Sequence, residues 1–402
     1  MLARTAARSS ESICVRPMKV AFVIGTRPEA IKMFPVIHAL EREPDFAPLV
    51  ILTAQHRDML DQVMDIAGLK ADFDLDIMQP GQSLTGVTTA ALGALTPLIE
   101  REKPDLVVVQ GDTTTAFAGA LAAFYAKTPI AHIEAGLRSG KKYSPFPEEI
   151  NRCLVDAMTD VFLPPTEKAK ANLLKHGYPA DSIHVTGNTV VDALIWIRDR
   201  LEADRALRAN IEAGLPQLIG GRRLVLVTSH RRENFDGGIA SICSGLRRLA
   251  ARGDVEIVFP VHPNPNVRGP VYETLDGVDG IALVPPLNYL QFVALMMRAN
   301  LIVTDSGGVQ EEAPALGVPV LVMRDTTERP EGVEAGTARL IGADGDRIVA
   351  EASALLDDSS AYRRMAQAHN PFGDGKASER ITHILRAYLK ERIAGVTQSE
   401  TR

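Results

Sequence analysis

The sequence predicts two doubly wound α/β domains that face each other across a central cleft. Three observations lead to this fold class. The 402 residues suffice for two or three domains of roughly 100–200 residues each. Near-continuous apolar runs such as VAFVIG and LVVVQ are typical of strands buried on both faces of a parallel sheet. The alternation of such runs with helix-like stretches begins at residue 18 and restarts near residue 190, so we place the domains at 18–189 and 190–372.

Each strand is predicted from a short apolar, β-branched run. In the first half the predicted strands are Val20–Gly25, Leu49–Ala54, Asp105–Gln110, Ile130–Ala135, Val161–Pro164 and Ile183–Thr186. The halves are joined by a helix-like stretch, Val190–Ala213, and a loop, Gly214–Arg222. In the second half the predicted strands are Leu224–Thr228, Val255–Val261, Ile281–Pro285, Leu301–Thr304 and Pro319–Met323.

The two ends of the chain fall outside this pattern. Residues 1–17 are basic and Ser-rich without an apolar segment resembling a secretory signal, so we expect a disordered extension or a true start at Met18. Residues 373–402 carry apolar positions at helical spacing between Ala377 and Ile393. Because no strand follows this helix, we expect it to pack back across the N-terminal domain.

Composition narrows the functional classes. Apolar residues make up 46% of the chain and charged residues 23%, which excludes a disordered or collagen-like protein. A net charge of −6 and a pI near 5.9 argue against a nucleic-acid partner. The three cysteines stand far apart, which disfavours a disulfide framework and favours a reducing, cytoplasmic location. No apolar run reaches the roughly 18–20 residues of a membrane helix.

The first predicted strand ends at a motif suited to an anion, GTRPEAIKM. Gly25 permits a tight turn, Pro28 fits a first helical turn, and Arg27 and Lys32 flank the new helix N-terminus. The alternative is an ordinary capped turn with surface charges. Neither GxGxxG nor GxxxxGK[ST] occurs in the chain, so we predict neither a nicotinamide dinucleotide nor a P-loop nucleotide.

Three carboxylates of the first half follow strands or occupy a cleft loop, namely Asp112, Glu134 and Glu148. Each has a simpler interpretation: Asp112 as a helix cap, Glu134 as a partner of Arg138, and Glu148 or Glu149 as a cap. Together, crowded carboxylates raise one another's proton affinity and supply an acid and a base near neutral pH. Proton abstraction beside a leaving group requires such a set.

The second half supplies positive charge and an anion cradle. His230 and His262 follow successive strands, which suggests a phosphate site. Metal binding is the competing interpretation, but no third histidine or cysteine cluster accompanies them, so we predict no metal. Ser306, Gly307 and Gly308 expose backbone N–H groups at a helix start, which suits an anion.

Two charged features follow this glycine pair. Glu311 and Glu312 lie in the first turn of the helix, where an acid either complements the helix dipole or binds a ribose diol. Arg329 comes just after the next strand, near enough for phosphate or base contacts.

Ten motifs in order resemble the non-hydrolysing UDP-N-acetylglucosamine 2-epimerases: GTRPEAIKM, TAQHRDML, QGDTTT, HIEAGLRSG, SPFPEEINR, TGNTVVDAL, SHRREN, PVHPNPNV, TDSGGVQEEAPALGVPVLVMRDTTERPE and NPFGDGKASERI. The resemblance covers nearly the whole chain from Met18. It implies two Rossmann-like domains of the GT-B type, a homodimer, and no cofactor. It also implies interconversion of UDP-N-acetylglucosamine and UDP-N-acetylmannosamine, in polysaccharide biosynthesis, through a bound 2-acetamidoglucal.

The resemblance also assigns residues. Asp112, Glu134 and Glu148 match the family's catalytic acids, and His230 matches the histidine tied to the UDP phosphates and leaving-group departure. The matched nucleotide-sugar contacts are Arg27, Lys32, Phe292, Ser306, Gly307, Gly308, Glu312 and Arg329. Arg138 and His262 join the expected substrate-binding set from their positions after strands.

A second, regulatory UDP-N-acetylglucosamine site of some bacterial members is matched by Gln55, His56 and Arg57. The chain departs from the family at Asp58, where some of those members carry glutamine. It departs again at Leu287 or Asn288, where a glutamine is common.

Four other functions remain compatible with parts of this pattern. A hydrolysing relative would release N-acetylmannosamine and UDP from a similar site. A 2-epimerase for a UDP-diacetamido-uronic acid would keep the mechanism and change the sugar. A GT-B glycosyltransferase would need an acceptor groove rather than three carboxylates, and a nucleotide-sugar-binding regulator would leave the carboxylates unexplained.

Overall fold

A computed structural model describes residues 16–53, 57–77, 81–235 and 237–399. Within these ranges the chain forms two six-stranded sheets whose strands all run parallel. The predicted regulatory residues Gln55 and His56, and residues 1–15 of the predicted extension, lie outside the described residues. For Arg57 only the backbone is described.

The first sheet has the strand order β3-β2-β1-β4-β5-β6 and is covered by helices on both faces. Its strands are β1 (Met18–Ile24), β2 (Phe46–Leu52), β3 (Phe73–Asp74), β4 (Leu106–Gln110), β5 (Ile130–Ile133) and β6 (Val161–Leu163). The helices of this half are α1 (Arg27–Glu41), α2 (Arg57–Ala67), α3 (Leu84–Glu102), α4 (Thr114–Tyr125), α5 (Glu148–Met158) and α6 (Glu167–Lys175).

The second sheet repeats the topology with the order β12-β11-β10-β7-β8-β9. Its strands are β7 (Arg223–Thr228), β8 (Val255–Pro260), β9 (Ile281–Val284), β10 (Leu301–Thr304), β11 (Val320–Val322) and β12 (Ala338–Leu340). The remaining helices are α7 (Thr189–Ala203), α8 (Arg205–Ala213), α9 (Gly238–Ala250), α10 (Pro265–Leu275), α11 (Tyr289–Arg298), α12 (Gly307–Glu312), α13 (Pro330–Glu334), α14 (Gly345–Asp357), α15 (Ser359–Ala366) and α16 (Ala377–Ser399).

The predicted α/β class with two doubly wound sheets is confirmed, and most strands lie within a few residues of their predicted ranges. Two predictions are wrong. The expected strand at Ile183–Thr186 is reduced to a single bridge between Ile183 and Phe162. The expected helix Val190–Ala213 is broken at Asp204, because its carboxylate accepts the N–H of Leu207 and starts a new helix.

Both sheets reverse their winding direction beside the first strand of each half, between β1 and β4 and between β7 and β10. The loops that leave such neighbouring strands diverge, so a crevice opens at their carboxyl ends. This arrangement places the functional loops of both halves at one cleft.

Helix α16 follows the second sheet in sequence but packs on α1, which covers the first sheet, and on α7, which joins the two halves. Asp192 of α7 accepts the N–H groups of Ala377 (3.2 Å) and Ser378 (2.7 Å), so its carboxylate satisfies the first turn of α16. Among the described residues, no helix is both long and apolar enough to cross a membrane.

Candidate active site

The turn between β1 and α1 is built around the buried carboxylate of Glu29. This carboxylate accepts the N–H groups of Gly25 (2.9 Å) and Thr26 (2.6 Å), which forms a capping box. Its second oxygen accepts the hydroxyl of Thr113 at 2.5 Å. Because Thr113 follows Asp112, Glu29 fixes the turn between β1 and α1 and the loop that carries Asp112 relative to each other.

Glu134 lies just after β5 with φ of +66°, a left-handed conformation that a residue other than glycine rarely adopts. Its carboxylate accepts from Gln110 and pairs with Lys32, whose Nζ lies 2.5 Å from Oε2. Arg329 Nη2 lies 3.9 Å from Oε1. Burial alone would raise the pKa of Glu134, but the charges of Lys32 and Arg329 offset it and lower the pKa below its usual range. Glu134 is therefore held as an anion.

Asp112 and Glu148 face the cleft with different partners. Asp112 accepts from Arg152, whose other terminal nitrogen lies 3.2 Å from Glu149. Glu148 begins α5, and its Oε2 is buried without a hydrogen-bond partner among the described residues. An unsatisfied buried carboxylate oxygen is costly, so this atom is suited to meet a group of a ligand.

The simpler interpretations of these carboxylates are contradicted. Helix α4 is capped by Thr113, whose hydroxyl accepts the N–H of Ala116, and not by Asp112. Glu149 accepts the N–H groups of the preceding loop at residues 139 and 140, and α5 has no side-chain cap.

Arg138 does not pair with Glu134, because it turns away from the strand end toward α5. It donates to Asp156 at 2.6 Å. Its Nε is buried without a hydrogen-bond partner among the described residues. Arg138 is therefore tied to α5, with one buried donor left unused among the described residues.

In the second half, the fully buried Asp305 organises the loop after β7. Its carboxylate accepts the hydroxyl of Ser229 and the backbone N–H groups of His230 and Arg231, at 2.9 to 3.1 Å. The imidazole of His230 stacks on that of His262 with ring centroids 5.9 Å apart. Burial lowers the pKa of His230, although the charge of Asp305 opposes the shift. A bound phosphate would favour the protonated ring.

Glu311 and Glu312 lie at the end of α12, so their predicted place in its first turn is wrong. Glu312 is buried and accepts the hydroxyl of Tyr289 at 2.8 Å. Burial raises the pKa of Glu312 to about 7, against the opposing effect of the Tyr289 hydrogen bond. Its neighbour Glu311 instead accepts Arg329 Nε at 2.7 Å and Asn188 at 3.0 Å. The two adjacent glutamates thus differ. Glu311 is paired with the cation of Arg329, whereas the Glu312 carboxyl has a pKa near neutrality and accepts a hydrogen bond from a hydroxyl group.

The cleft contains two adjoining cavities that share Arg329. The larger, of about 480 Å³, is lined by these predicted residues: Arg27, Lys32, His230, His262, Phe292, Ser306, Gly308, Glu312 and Arg329. The smaller, of about 260 Å³, is lined by Asp112, Arg138, Glu148 and Arg329. Glu134 bridges them through Lys32 and Arg329, and Gly307 sits at the start of α12 beside Arg329. The structure thus brings together the predicted catalytic and substrate-binding residues.

Sequence reasoning did not assign Gln110, Tyr289 or Asp305 to the site. Tyr289 directly follows the family departure at Leu287 or Asn288, and Asp305 directly precedes the Ser-Gly-Gly motif, so their positions after strands were available signals. At the second family departure, Leu287 lines the larger cavity, whereas Asn288 caps α11. In the described part of the chain, no group of three or more His, Cys, Asp or Glu side chains is placed to hold a metal ion.

Comparison with known proteins gives the family. A family profile described as UDP-N-acetylglucosamine 2-epimerase matches residues 38–386. The UDP-N-acetylglucosamine 2-epimerase of Salmonella typhimurium is 53% identical over 372 residues, which cover 92% of this chain and 99% of that protein. This chain belongs to the UDP-N-acetylglucosamine 2-epimerase family. The 2-epimerase of Escherichia coli K12 is 52% identical over 370 residues, which cover 92% of this chain and 98% of that protein.

A solved member of the 2-epimerase family supports the same architecture. The crystal structure of the Neisseria meningitidis UDP-GlcNAc 2-epimerase, bound to UDP-GlcNAc, matches with a TM-score of 0.86 and 47% identity. The match covers 92% of this chain and all of that chain. The two Rossmann-like domains therefore have the GT-B arrangement of 2-epimerases.

Proposed function

We propose that this family member interconverts UDP-N-acetylglucosamine and UDP-N-acetylmannosamine by eliminating UDP and adding it back. The observation that carries the proposal is the meeting of two cavities at Arg329, one rich in phosphate-binding groups and one that holds Asp112 and Glu148 among cationic side chains. The Neisseria relative, whose structure contains UDP-GlcNAc, supports the choice of substrate.

The larger cavity suits the UDP part of the substrate. Phe292 offers an aromatic face for the base, and the Glu312 carboxyl suits the ribose diol. His230, Arg329 and the backbone at the start of α12 present donors to the two phosphates. The sugar then projects past Arg329 toward the smaller cavity and its carboxylates.

The partners of the three carboxylates suggest different roles for Asp112 and Glu148, which line the smaller cavity, and for Glu134, which lies between Lys32 and Arg329. Glu134 is a fixed anion between Lys32 and Arg329, and Asp112 is tied to Arg152, whereas Glu148 has a buried free oxygen. We assign the proton transfer at carbon 2 to Glu148. Glu134 and Asp112 orient the sugar and complement positive charge that develops at carbon 1.

The proposed steps balance without a redox cofactor. Glu148 takes the proton from carbon 2, the electrons of that C–H bond form the C1–C2 double bond, and the C1–O bond breaks with its electron pair on the β-phosphate of UDP. After the bound glycal turns, a proton returns to the opposite face of carbon 2 while UDP oxygen re-attacks carbon 1. No net oxidation occurs, so no hydride carrier is required.

Whether the enzyme epimerises or hydrolyses its substrate depends on whether it retains both UDP and the glycal until UDP adds back. His230 and Arg329 keep UDP beside the glycal, which gives the return step a high effective concentration. Closure of the two halves would exclude the water that otherwise yields N-acetylmannosamine. The proposal includes a cytoplasmic homodimer, whose subunit number light scattering would measure.

The test is incubation of the enzyme with UDP-N-acetylglucosamine in heavy water, followed by NMR. We expect solvent deuterium at carbon 2 of both epimers and no accumulation of free sugar. Free N-acetylmannosamine formed in step with UDP would instead identify a hydrolysing enzyme. An unchanged substrate without exchange would contradict the proposed activity.

Two variants test the assignment of Glu148. Glu148→Gln should reduce exchange and epimerisation by about 10²- to 10⁴-fold while UDP affinity stays within about twofold, because UDP contacts the other cavity. His230→Ala should weaken UDP binding as well as turnover. Near-normal exchange in Glu148→Gln would remove this residue from the proton transfer.

A further inference from the structure

A buried polar cluster lies behind the carboxylates, and two of its three members, His132 and Asp156, have no part in the proposed chemistry. It consists of His132 on β5, Asp156 on α5 and Arg138 in the loop after β5. His132 and Asp156 are fully buried, and His132 is absent from the described lining of both cavities. A histidine that never meets the substrate can act on the reaction only through its neighbours.

Both ring nitrogens of His132 face acceptors. Nδ1 lies 2.7 Å from Asp156 Oδ1, and Nε2 lies 2.8 Å from the carbonyl oxygen of Gly111. Burial alone would raise the pKa of Asp156, but the charges of His132 and Arg138 lower it, so this carboxylate is ionised and accepts. A backbone carbonyl can also only accept, so His132 donates from both nitrogens.

The two bonds join the elements that carry the three catalytic carboxylates. Gly111, at φ of +70°, immediately precedes Asp112, and its N–H donates to Ile133 at 3.0 Å, so both sides of this turn are held by β5. Asp156 is on α5, the helix that begins with Glu148. Glu134 is two residues after His132 on the same strand end.

We propose that His132 is a positioning residue of the epimerisation, setting Asp112 through the Gly111 carbonyl and holding α5 through Asp156. This inference rests on the proposed function. Reacting groups displaced by about 1 Å lose about a hundredfold in rate, so the bond to Gly111 controls kcat. Substrate affinity is set by the other cavity, so KM is expected to stay nearly constant.

Two substitutions separate the bonds of His132. In His132→Gln the amide nitrogen replaces Nε2 and keeps the bond to Gly111, whereas in His132→Asn it replaces Nδ1 and keeps the bond to Asp156. We expect His132→Asn to lose about 10- to 100-fold in kcat with KM within about twofold, and His132→Gln to retain several times more activity than His132→Asn. The matched control is Ile99→Ala, which lowers stability from the buried core of α3 without approaching the cleft.

The turnover of each variant is divided by the amount of folded protein, which is measured as the amount that unfolds cooperatively. Losses that match the control, or equal losses in the two histidine variants, would overturn the positioning role. Should the variants fail to fold, ring ¹⁵N NMR of the wild-type protein is decisive, since a His132 nitrogen without a hydrogen contradicts double donation. Inactive wild-type enzyme would instead refute the proposed function.

Discussion

Glu312 shows at the scale of one residue how a binding group can reduce stability. Its carboxyl is buried, and its pKa is raised to about 7 from an ordinary value of 4.5. The protonated acid is favoured in the folded state, so stability is fully present below pH 4.5 and is lost progressively as pH rises from 4.5 through 7. The loss is on the order of 3 kcal/mol, at about 1.4 kcal/mol for each pKa unit.

We therefore expect Glu312→Gln to stabilise the ligand-free protein at pH 8 by about 1–3 kcal/mol, and by less than half as much at pH 5.5, where the loss has only partly developed. UDP affinity should fall, because the amide replaces an acceptor for the ribose diol. Urea unfolding at the two pH values and calorimetric titration with UDP measure these effects. An equal gain at both pH values would show that the carboxyl does not titrate in this range.

Tyr289→Phe is the matched variant for Glu312. It removes the hydroxyl that lowers the pKa of Glu312, so the pKa should rise further. Stability should then decrease more at pH 8 than at pH 5.5, with the sign opposite to that of Glu312→Gln.

Among the secondary-structure elements, α9 and α14 cross at two glycines. A Cβ on Gly245 would lie 2.7 Å from the backbone of Gly345, closer than real Cβ contacts allow. Gly245→Ala should force the helices apart and cost about 1–3 kcal/mol, measured by urea unfolding. Because this contact lies outside both cavities, kcat per folded molecule should not change.

The same substitution at Gly93 serves as a control. Gly93 is inside α3, and an added Cβ would meet nothing within 4 Å. Gly93→Ala should therefore stabilise the protein by about 0.5–1 kcal/mol through helix propensity. Destabilisation of similar size in both variants would refute the close-crossing explanation for Gly245.

The elements also show what the sequence could and could not predict. Central strands were predictable because burial on both faces leaves a continuous apolar run, whereas β3 and β12 have only two and three residues and give no comparable signal. The partners of the site residues were not predictable, because they are far apart in sequence. Lys32 and Glu134, for example, form an ion pair although 102 positions separate them. The position of a carboxylate after a strand predicts that it faces the cleft, but not which cation neutralises it.

Across the whole molecule, the net charge of −6 averages over a cleft to which both halves contribute cations and carboxylates. The first half contributes the three carboxylates, and Arg329 reaches them from the second half. Thr166 also donates across the cleft to Glu331 at 3.0 Å. A substrate that fills both cavities must therefore contact both halves, which couples its binding to their relative position.

Helix α16 connects the two ends of this architecture, because it follows the second sheet and packs on the first half. Leu385 is fully buried in that contact and belongs to the same core as Phe34 and Ile37 of α1.

Leu385→Ala should cost about 2–5 kcal/mol in the free energy of unfolding, since it removes buried methyl groups and leaves a cavity. UDP affinity of the folded protein should be unchanged, because Leu385 does not line the larger cavity. Leu174→Ala on α6 is the control: its side chain is 42% exposed, and the loss should stay within about 0.5 kcal/mol. Urea unfolding followed by circular dichroism measures both variants, and equal losses would show that α16 does not complete the core of the first half.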